Sequence, residues 1–457
     1  MSDTLLSVGL DVGTTSTQMI LSELTVENRG TGFTVPELTI AQRKIRYQSP
    51  VYFTPLLGHD RVDGEGIRKI VAAEYEKAGI RREDVRTGAV IITGETSRKE
   101  NARAVLSALS ELAGDFVVAT AGPHLESILA AKGAGATEFS ESTGKTVLHM
   151  DIGGGTSNLA LIKDGKVMST SCLNVGGRLL KFDPDGRVTY VSPVLEGLCS
   201  LSVGDVATLE GVEAVAETLT QALEMAAGLC QPTPLLDKLS TKEAGAAKPI
   251  EEAGLVISFS GGVADCIETV HPWLEFGDIG PVLGQAIRKS RLCAGEFRLG
   301  SHTIRATVIG AGCHSAQLSG STVFCRNLQF PMKNLPVAAI SLEEQELPEL
   351  SALVKKRLSQ QDSHCVLAMP GFSAPSYSQV TTIAQALVDG FAGKPVLVAL
   401  EQDMAKALGQ AMALGLPQDA PVLCIDRVKL HEGSYLDVGA PIGPALPVVI
   451  KTLVLGS

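Results

Sequence analysis

Two stretches of this chain set a carboxylate beside glycines and hydroxyls at a spacing that suits a polyphosphate. The first to stand out runs from Thr146 to Ile162: an apolar strand ends in Asp151, three glycines follow (Gly153, Gly154 and Gly155), then Thr156 and Ser157, then a second strand carrying Leu159, Leu161 and Ile162. Glycine accepts positive φ and lets backbone amides come close to a phosphate, while an aspartate at a strand end can hold Mg²⁺ through water. The pattern suits a triphosphate tail. Taken alone, the same residues also describe a glycine-rich hairpin with no ligand.

A second copy changes the reading. Ser7 to Leu21 repeats the order of apolar strand, Asp11, Gly13, hydroxyl cluster with Thr14 and Thr15, and apolar strand. Two such hairpins, each opening one half of a duplicated unit, would grip one phosphate chain from both sides. Neither ends in Gly-Lys-Ser/Thr and neither runs into a helix, so a P-loop is disfavoured. A third glycine feature, Gly261-Gly262, closes the apolar strand 255–260. It offers bare backbone against which a base and ribose could lie, or it is a plain strand-to-helix turn.

The elements between these motifs must carry them. Helical spacing with a glycine stop predicts a helix over 67–79, followed by a strand at 89–93 that ends in Gly94 and Glu95. A helix over 98–113 and a strand at 116–119 follow, then a helix begun by Pro123 and closed by Gly133. That helix is rich in alanine and glycine, which suits either a crossing point between two halves or tight packing on a sheet. Beyond the second hairpin, a helix is predicted over 212–229, a solvated loop over 231–254, a strand over 303–309 and a small-residue helix over 310–318. From about residue 335 an acidic hinge precedes strands at 366–369, 396–400 and 422–425, which alternate with helices at 378–390 and 404–414, and the chain closes on a strand near 446–455. Strands alternating with helices make this an α/β protein.

Composition narrows the class. A chain of 457 residues with 45% hydrophobic and 19% charged residues can bury substantial cores and is not a disordered chain. Its formal net charge of -11, without a Lys/Arg run, gives no footprint for nucleic acid and no polybasic membrane patch. No stretch approaches the roughly 18 apolar residues of a membrane span, and the first strand starts at once after Met1 without a leader pattern, so a cytoplasmic location is expected. The nine cysteines never occur in Cys-x-x-Cys spacing, which suggests reduced thiols in a core.

The order of hairpin with Asp11, small-residue helix, hairpin with Asp151, strand with Gly261-Gly262 and second small-residue helix resembles the actin, sugar kinase and Hsp70 ATPase superfamily over about residues 5–325. The implied fold is α/β: duplicated actin-like (ribonuclease H-like) ATPase halves, 1–145 and 146–334, with an additional C-terminal α/β module at 335–457. More closely, the whole chain, including Pro447 to Val454, is similar to the ethanolamine ammonia-lyase reactivating factors. The resemblance implies ATP and Mg²⁺ as cofactors, ATP hydrolysis, and chaperone-like removal of damaged cobalamin from an adenosylcobalamin-dependent lyase, with a bacterial microcompartment as the associated setting. It assigns Asp11 and Asp151 to the metal and to catalysis, Gly13, Thr14, Thr15, Gly153, Gly154, Gly155 and Thr156 to phosphates, and Gly261 and Gly262 to the nucleoside. One departure stands out. Hsp70-type ATPases place a glutamate directly before the proline of the first small-residue helix, where this chain has Gly122, so slow hydrolysis is expected and a general base, if one is needed, falls to Glu126 or Glu95; the alternative is that these are solvated or structural carboxylates. A small-molecule kinase and a non-catalytic scaffold on the same fold are the other readings; no acceptor site is evident for the first and no amphipathic anchor for the second.

Overall fold

The structure, a computed structural model, describes residues 3–13, 16–28, 38–57, 61–92, 123–241, 249–250, 254–314, 317–319, 322–341, 344–359, 365–441 and 445–452. Thr14, Thr15, Glu95 and Gly122, with the expected helix over 98–113 and strand at 116–119, lie outside them.

Two sheets repeat one plan. In the first, Asp3–Val12 pairs antiparallel with Ser16–Asn28 and parallel with Val85–Ile92, and Leu38–Gln48 forms the far edge. In the second, Val147–Ile152 pairs antiparallel with Ser157–Lys163 and parallel with Val256–Ser260, which in turn pairs with Phe297–Leu299. Every residue of Val147–Ile152 is buried, as befits a central strand covered on both faces. The helix Gly64–Ala78 packs Ile67, Val71 and Tyr75 against the first sheet. It starts where the Asp63 side chain accepts from the Gly66 N–H and stops at Gly79, whose φ of +67° only glycine adopts readily. The helix Leu209–Ala226 covers the second sheet through Val212, Val215, Leu219 and Leu223.

The two sheets exchange helices. Pro123–Gly133, encoded after the first sheet, packs on the second, whereas Ala306–His314, encoded after the second sheet, packs on the first. The two helices approach most closely at Gly133 and Gly310, which carry no side chain. A Cβ on Gly133 would lie 1.8 Å from the Ala306 carbonyl oxygen, one on Gly310 2.0 Å from that of Leu129, and one on Gly9 2.5 Å from that of Val308. The small-residue stretches are therefore the crossing point.

Sequence reasoning misplaced three elements, the first being the small-residue helix expected over 310–318, which ends at His314, with Gln317–Leu318 a short strand. Residues 303–309 are not a strand: the β-branched run Thr303-Ile304-Arg305-Ala306-Thr307-Val308-Ile309 leads into the helix Ala306–His314, and the strand of that unit is the three-residue Phe297–Leu299. The 231–254 region is not wholly a solvated loop either, because Thr233 caps a short helix, Pro234–Leu239, that buries Leu236 and Leu239.

A third sheet of eight strands runs in the order 317–318, 447–452, 434–438, 332–339, 366–369, 396–400, 422–425 and 324–326. Its four central strands, from Met332–Ala339 to Val422–Ile425, are parallel. Helices Leu350–Ser359, Tyr377–Phe391 and Ala405–Leu414 cover one face, and Val428, Leu430 and Leu446 pack on the other. Val449 of the last strand reaches the helix crossing, where it packs with Ile91, Leu129 and Ala311. All nine cysteines are free thiols. No helix among the described residues is long and apolar enough to cross a membrane.

Candidate active site

The two hairpins agree beyond their sequence pattern. The Gly13 N–H donates to the Ser16 carbonyl at 2.8 Å and the Gly153 N–H to the Thr156 carbonyl at 2.9 Å, so both turns close through the same hydrogen bond. Across the first hairpin Asp11 faces Gln18, and across the second Asp151 faces Asn158. Both aspartates are nearly buried, 7% and 6% exposed, because each ends a central strand. Asp151 Oδ1 accepts from the Ser260 hydroxyl and Oδ2 from Thr307 Oγ1 at 3.3 Å. Burial pushes its carboxyl up, and these two donors act in the opposite direction. The second glycine turn is also braced. The Gly177 and Arg178 N–H groups donate to the Gly153 and Gly154 carbonyls at 3.0 and 2.6 Å, and Arg178 pairs with Asp278 at 3.3 Å.

Glu126 sits on the exchanged helix, beside the second hairpin. Its carboxyl is pushed well above the usual range, first by burial and then by the charges of Asp151 and Asp11, while a hydrogen bond with Asn158 works the other way. The fold therefore brings Asp11, Asp151 and Glu126 into one electrostatic neighbourhood. A carboxyl of raised proton affinity beside two acidic groups has the character of a general base. Gln18 ties the first hairpin to the same place, its Nε2 donating to the Ile304 carbonyl at 3.0 Å.

Gly261 and Gly262 differ in kind. Gly261 has φ +87°, and a Cβ there would lie 2.2 Å from the Ile152 carbonyl oxygen, so packing against the second hairpin requires glycine. Gly262 has ordinary φ and open space around it, as has Gly155, whereas Gly154 has the Arg178 side chain 3.3 Å from its Cβ position.

Among the described residues no three His, Cys, Asp or Glu side chains form a metal-binding group. The donor set nonetheless fits a hydrated Mg²⁺ carried by a nucleotide, because Mg²⁺ keeps several waters and usually takes only one or two carboxylates plus phosphates. Gln18 Oε1 and Asn158 Oδ1 are buried acceptors without a hydrogen-bond partner, and water bound to a cation would supply the donors. Sequence reasoning missed Gln18, Asn158, Ser260 and Thr307. Their only signal was a polar side chain at an alternating position in an apolar strand or at the start of a helix. A shallow basic cavity of about 540 Å³ lies elsewhere, along Arg43, Lys44 and Arg46 with His302, and none of the three carboxylates lines it.

Paired carboxylate hairpins on duplicated sheets, with crossed small-residue helices between them, define an actin-like ATPase fold. Within that class the chain belongs to the family described as ethanolamine utilisation protein EutA, whose sequence profile matches residues 3–456. Two relatives named ethanolamine ammonia-lyase reactivase EutA, from Salmonella typhimurium and Escherichia coli, are each 40% identical over 99% of this chain and 99% of their own. Among solved structures, ethanolamine utilization protein EutJ from Carboxydothermus hydrogenoformans aligns at 16% identity and TM-score 0.35, over 67% of this chain and 89% of that one.

Proposed function

We propose that this protein is an ATP-hydrolysing reactivating chaperone for ethanolamine ammonia-lyase, which frees the lyase of damaged cobalamin so that intact adenosylcobalamin can bind. The convergence of Asp11, Asp151 and Glu126 between two like hairpins carries the ATPase part. The lyase as target rests on the name of the two full-length relatives.

Asp11 and Asp151 orient a hydrated Mg²⁺, which when bound offsets phosphate charge. The amides and hydroxyls of Gly13, Thr14, Thr15, Gly153, Gly154, Gly155 and Thr156 hold the phosphates, and Gly261 with Gly262 gives the nucleoside a bare backbone to rest on. Glu126 takes the proton of the attacking water, with Asn158 holding its carboxylate; Glu95 is the other candidate base. Turnover is slow, on the order of 1 s⁻¹ or below, as suits a switch whose bound state must persist. A tightly held cofactor escapes only when the open lyase is populated, so the chaperone must bind open lyase better than closed, and nucleotide state must change that preference. We assign the ATPase halves to 1–145 and 146–334, and the lyase-facing surface to the module at 335–457, whose sheet also takes in strands 317–318 and 324–326. The setting is the cytoplasm, in association with a microcompartment.

The test mixes inactivated lyase with this protein, ATP, Mg²⁺ and fresh adenosylcobalamin and follows product formation. Recovery that requires ATP and disappears with Asp11→Asn supports the proposal. No recovery under any nucleotide condition, together with phosphorylation of a small metabolite, would establish a kinase instead.

A further inference from the structure

The strand that holds Asp151, Val147–Ile152, carries a second polar side chain on the same face. His149, two residues earlier, is fully buried, and its imidazole lies between two hydroxyls: Nε2 is 2.9 Å from Ser260 Oγ and Nδ1 is 3.1 Å from Ser258 Oγ. Ser258 and Ser260 repeat the two-residue spacing on the adjacent parallel strand, where Ser258 stands beside His149 and Ser260 beside Asp151. Both serines are fully buried as well. The four side chains form one unbroken line from the site carboxylate into the sheet.

Hydrogen-bond polarity fixes the direction of that line. An ionised carboxylate only accepts, so the single proton of Ser260 points at Asp151 Oδ1. The Ser260 oxygen must then accept from His149, which places the imidazole proton on Nε2. Nδ1 is left with its lone pair and accepts from the Ser258 hydroxyl. A lone serine could turn its proton toward a backbone carbonyl, but an imidazole N–H directed at its oxygen makes the turn to Asp151 the favourable one. Thr307 holds the other carboxylate oxygen from the exchanged helix.

We propose that His149 is a positioning residue for Asp151: through Ser260 it fixes the orientation in which that carboxylate meets the hydrated cation of the nucleotide. The proposal rests on the reading of Asp151 as a cation-facing group in an ATP site. Outer partners of this kind typically change metal affinity by about 10- to 100-fold when removed.

The test uses the full-length protein and two readouts other than turnover. In ¹⁵N-histidine-labelled protein, the resonance lost in His149→Gln identifies His149, and its shifts should report the Nε2–H tautomer; an Nδ1–H tautomer overturns the proposal. In a titration of Mg²⁺-dependent binding of a fluorescent ATP analogue, His149→Phe should raise the Mg²⁺ midpoint about 10- to 100-fold. His149→Gln, whose amide can donate from near the Nε2 position, should restore most of it. Because His149 acts through Ser260, the double variant His149→Phe/Ser260→Ala should be no weaker than Ser260→Ala alone, and independent multiplying losses would contradict the relay. Should His149→Phe fail to fold, His149→Asn, whose amide donates from near the Nδ1 position and does not reach Ser260, must raise the midpoint in the same direction. Absence of Mg²⁺-dependent nucleotide binding in the wild type defeats the site reading and this proposal together. Intact wild-type binding with an unmoved midpoint in His149→Phe, or in His149→Asn where that variant stands in, defeats this proposal alone.

Discussion

Alanine at Gly155 and at Gly262 separates what the fold needs from what a ligand needs. At both positions φ is ordinary and a Cβ would meet no atom within 4 Å, so the folded protein loses no contact. Replacing glycine at such a position stabilises by about 0.4–1 kcal/mol through the unfolded chain, and the melting temperature should hold or rise slightly. Gly261 is the internal contrast. Its φ of +87° and the Ile152 oxygen 2.2 Å from the Cβ position make Gly261→Ala costly, at roughly 1–2 kcal/mol for the left-handed backbone and about 1–3 kcal/mol for overpacking. The ligand would meet the added methyl groups directly. At Gly155 one charge-assisted hydrogen bond lost at the phosphates is worth roughly 1.5–3 kcal/mol, which weakens nucleotide binding about ten- to a hundredfold, and at Gly262 the methyl lowers affinity by lifting the nucleoside off the backbone. Titration of a fluorescent ATP analogue beside thermal melts measures both effects. Full affinity in both variants refutes the role assigned to these glycines, and a large fall in melting temperature refutes the claim that the fold does not need them.

Three further outcomes follow from the same geometry. Gly310→Ala forces a Cβ to 2.0 Å from the Leu129 oxygen, so the crossed helices must part by about 1.4 Å to reach ordinary contact at 3.4 Å; overpacking of about 1–3 kcal/mol outweighs roughly 1 kcal/mol of helix propensity, and a raised melting temperature would contradict it. Glu126→Gln keeps a partner for Asn158 and removes the proton-accepting carboxyl, so ATP should bind about as well while single-turnover hydrolysis falls roughly 10²- to 10⁴-fold; an unchanged rate rejects Glu126 as the base. Glu74 is buried, which raises its carboxyl pKa, yet hydrogen bonds from Lys77, Tyr52 and Tyr47 bring it below 4.5 overall. Its folded-state pKa is depressed, so its contribution is present above the unfolded value and disappears as pH falls through the folded one. Urea unfolding should therefore show Glu74→Gln well below wild type near pH 7 and the gap closing in acid, and a gap of constant size argues against the ion pair.

What the sequence showed plainly was whatever depends on short spacing. Asp11 and Asp151, their glycines and both flanking strands were legible because a hairpin tip is local, and the duplication marked them twice. The crossing of the small-residue helices was legible only as one of two possibilities, since it needs Gly133 and Gly310 to meet partners far away in the chain. Residues 303–309 misled because β-branched side chains favour strands on average, whereas here packing on the first sheet draws Ala306 onward into a helix. Glu126 was named with Glu95 because nothing local separates two carboxylates. Its neighbourhood depends on the exchanged helix lying beside Asn158, and that is a property of the assembled sheets.

The exchange of helices also constrains how the chain can be divided. A fragment ending at residue 145 keeps the strands of the first sheet but leaves behind Ala306–His314, the helix that covers them, and the remainder of the chain lacks Pro123–Gly133 in turn. Each piece alone would present a bare apolar sheet face to solvent, while the two expressed together could complete one another.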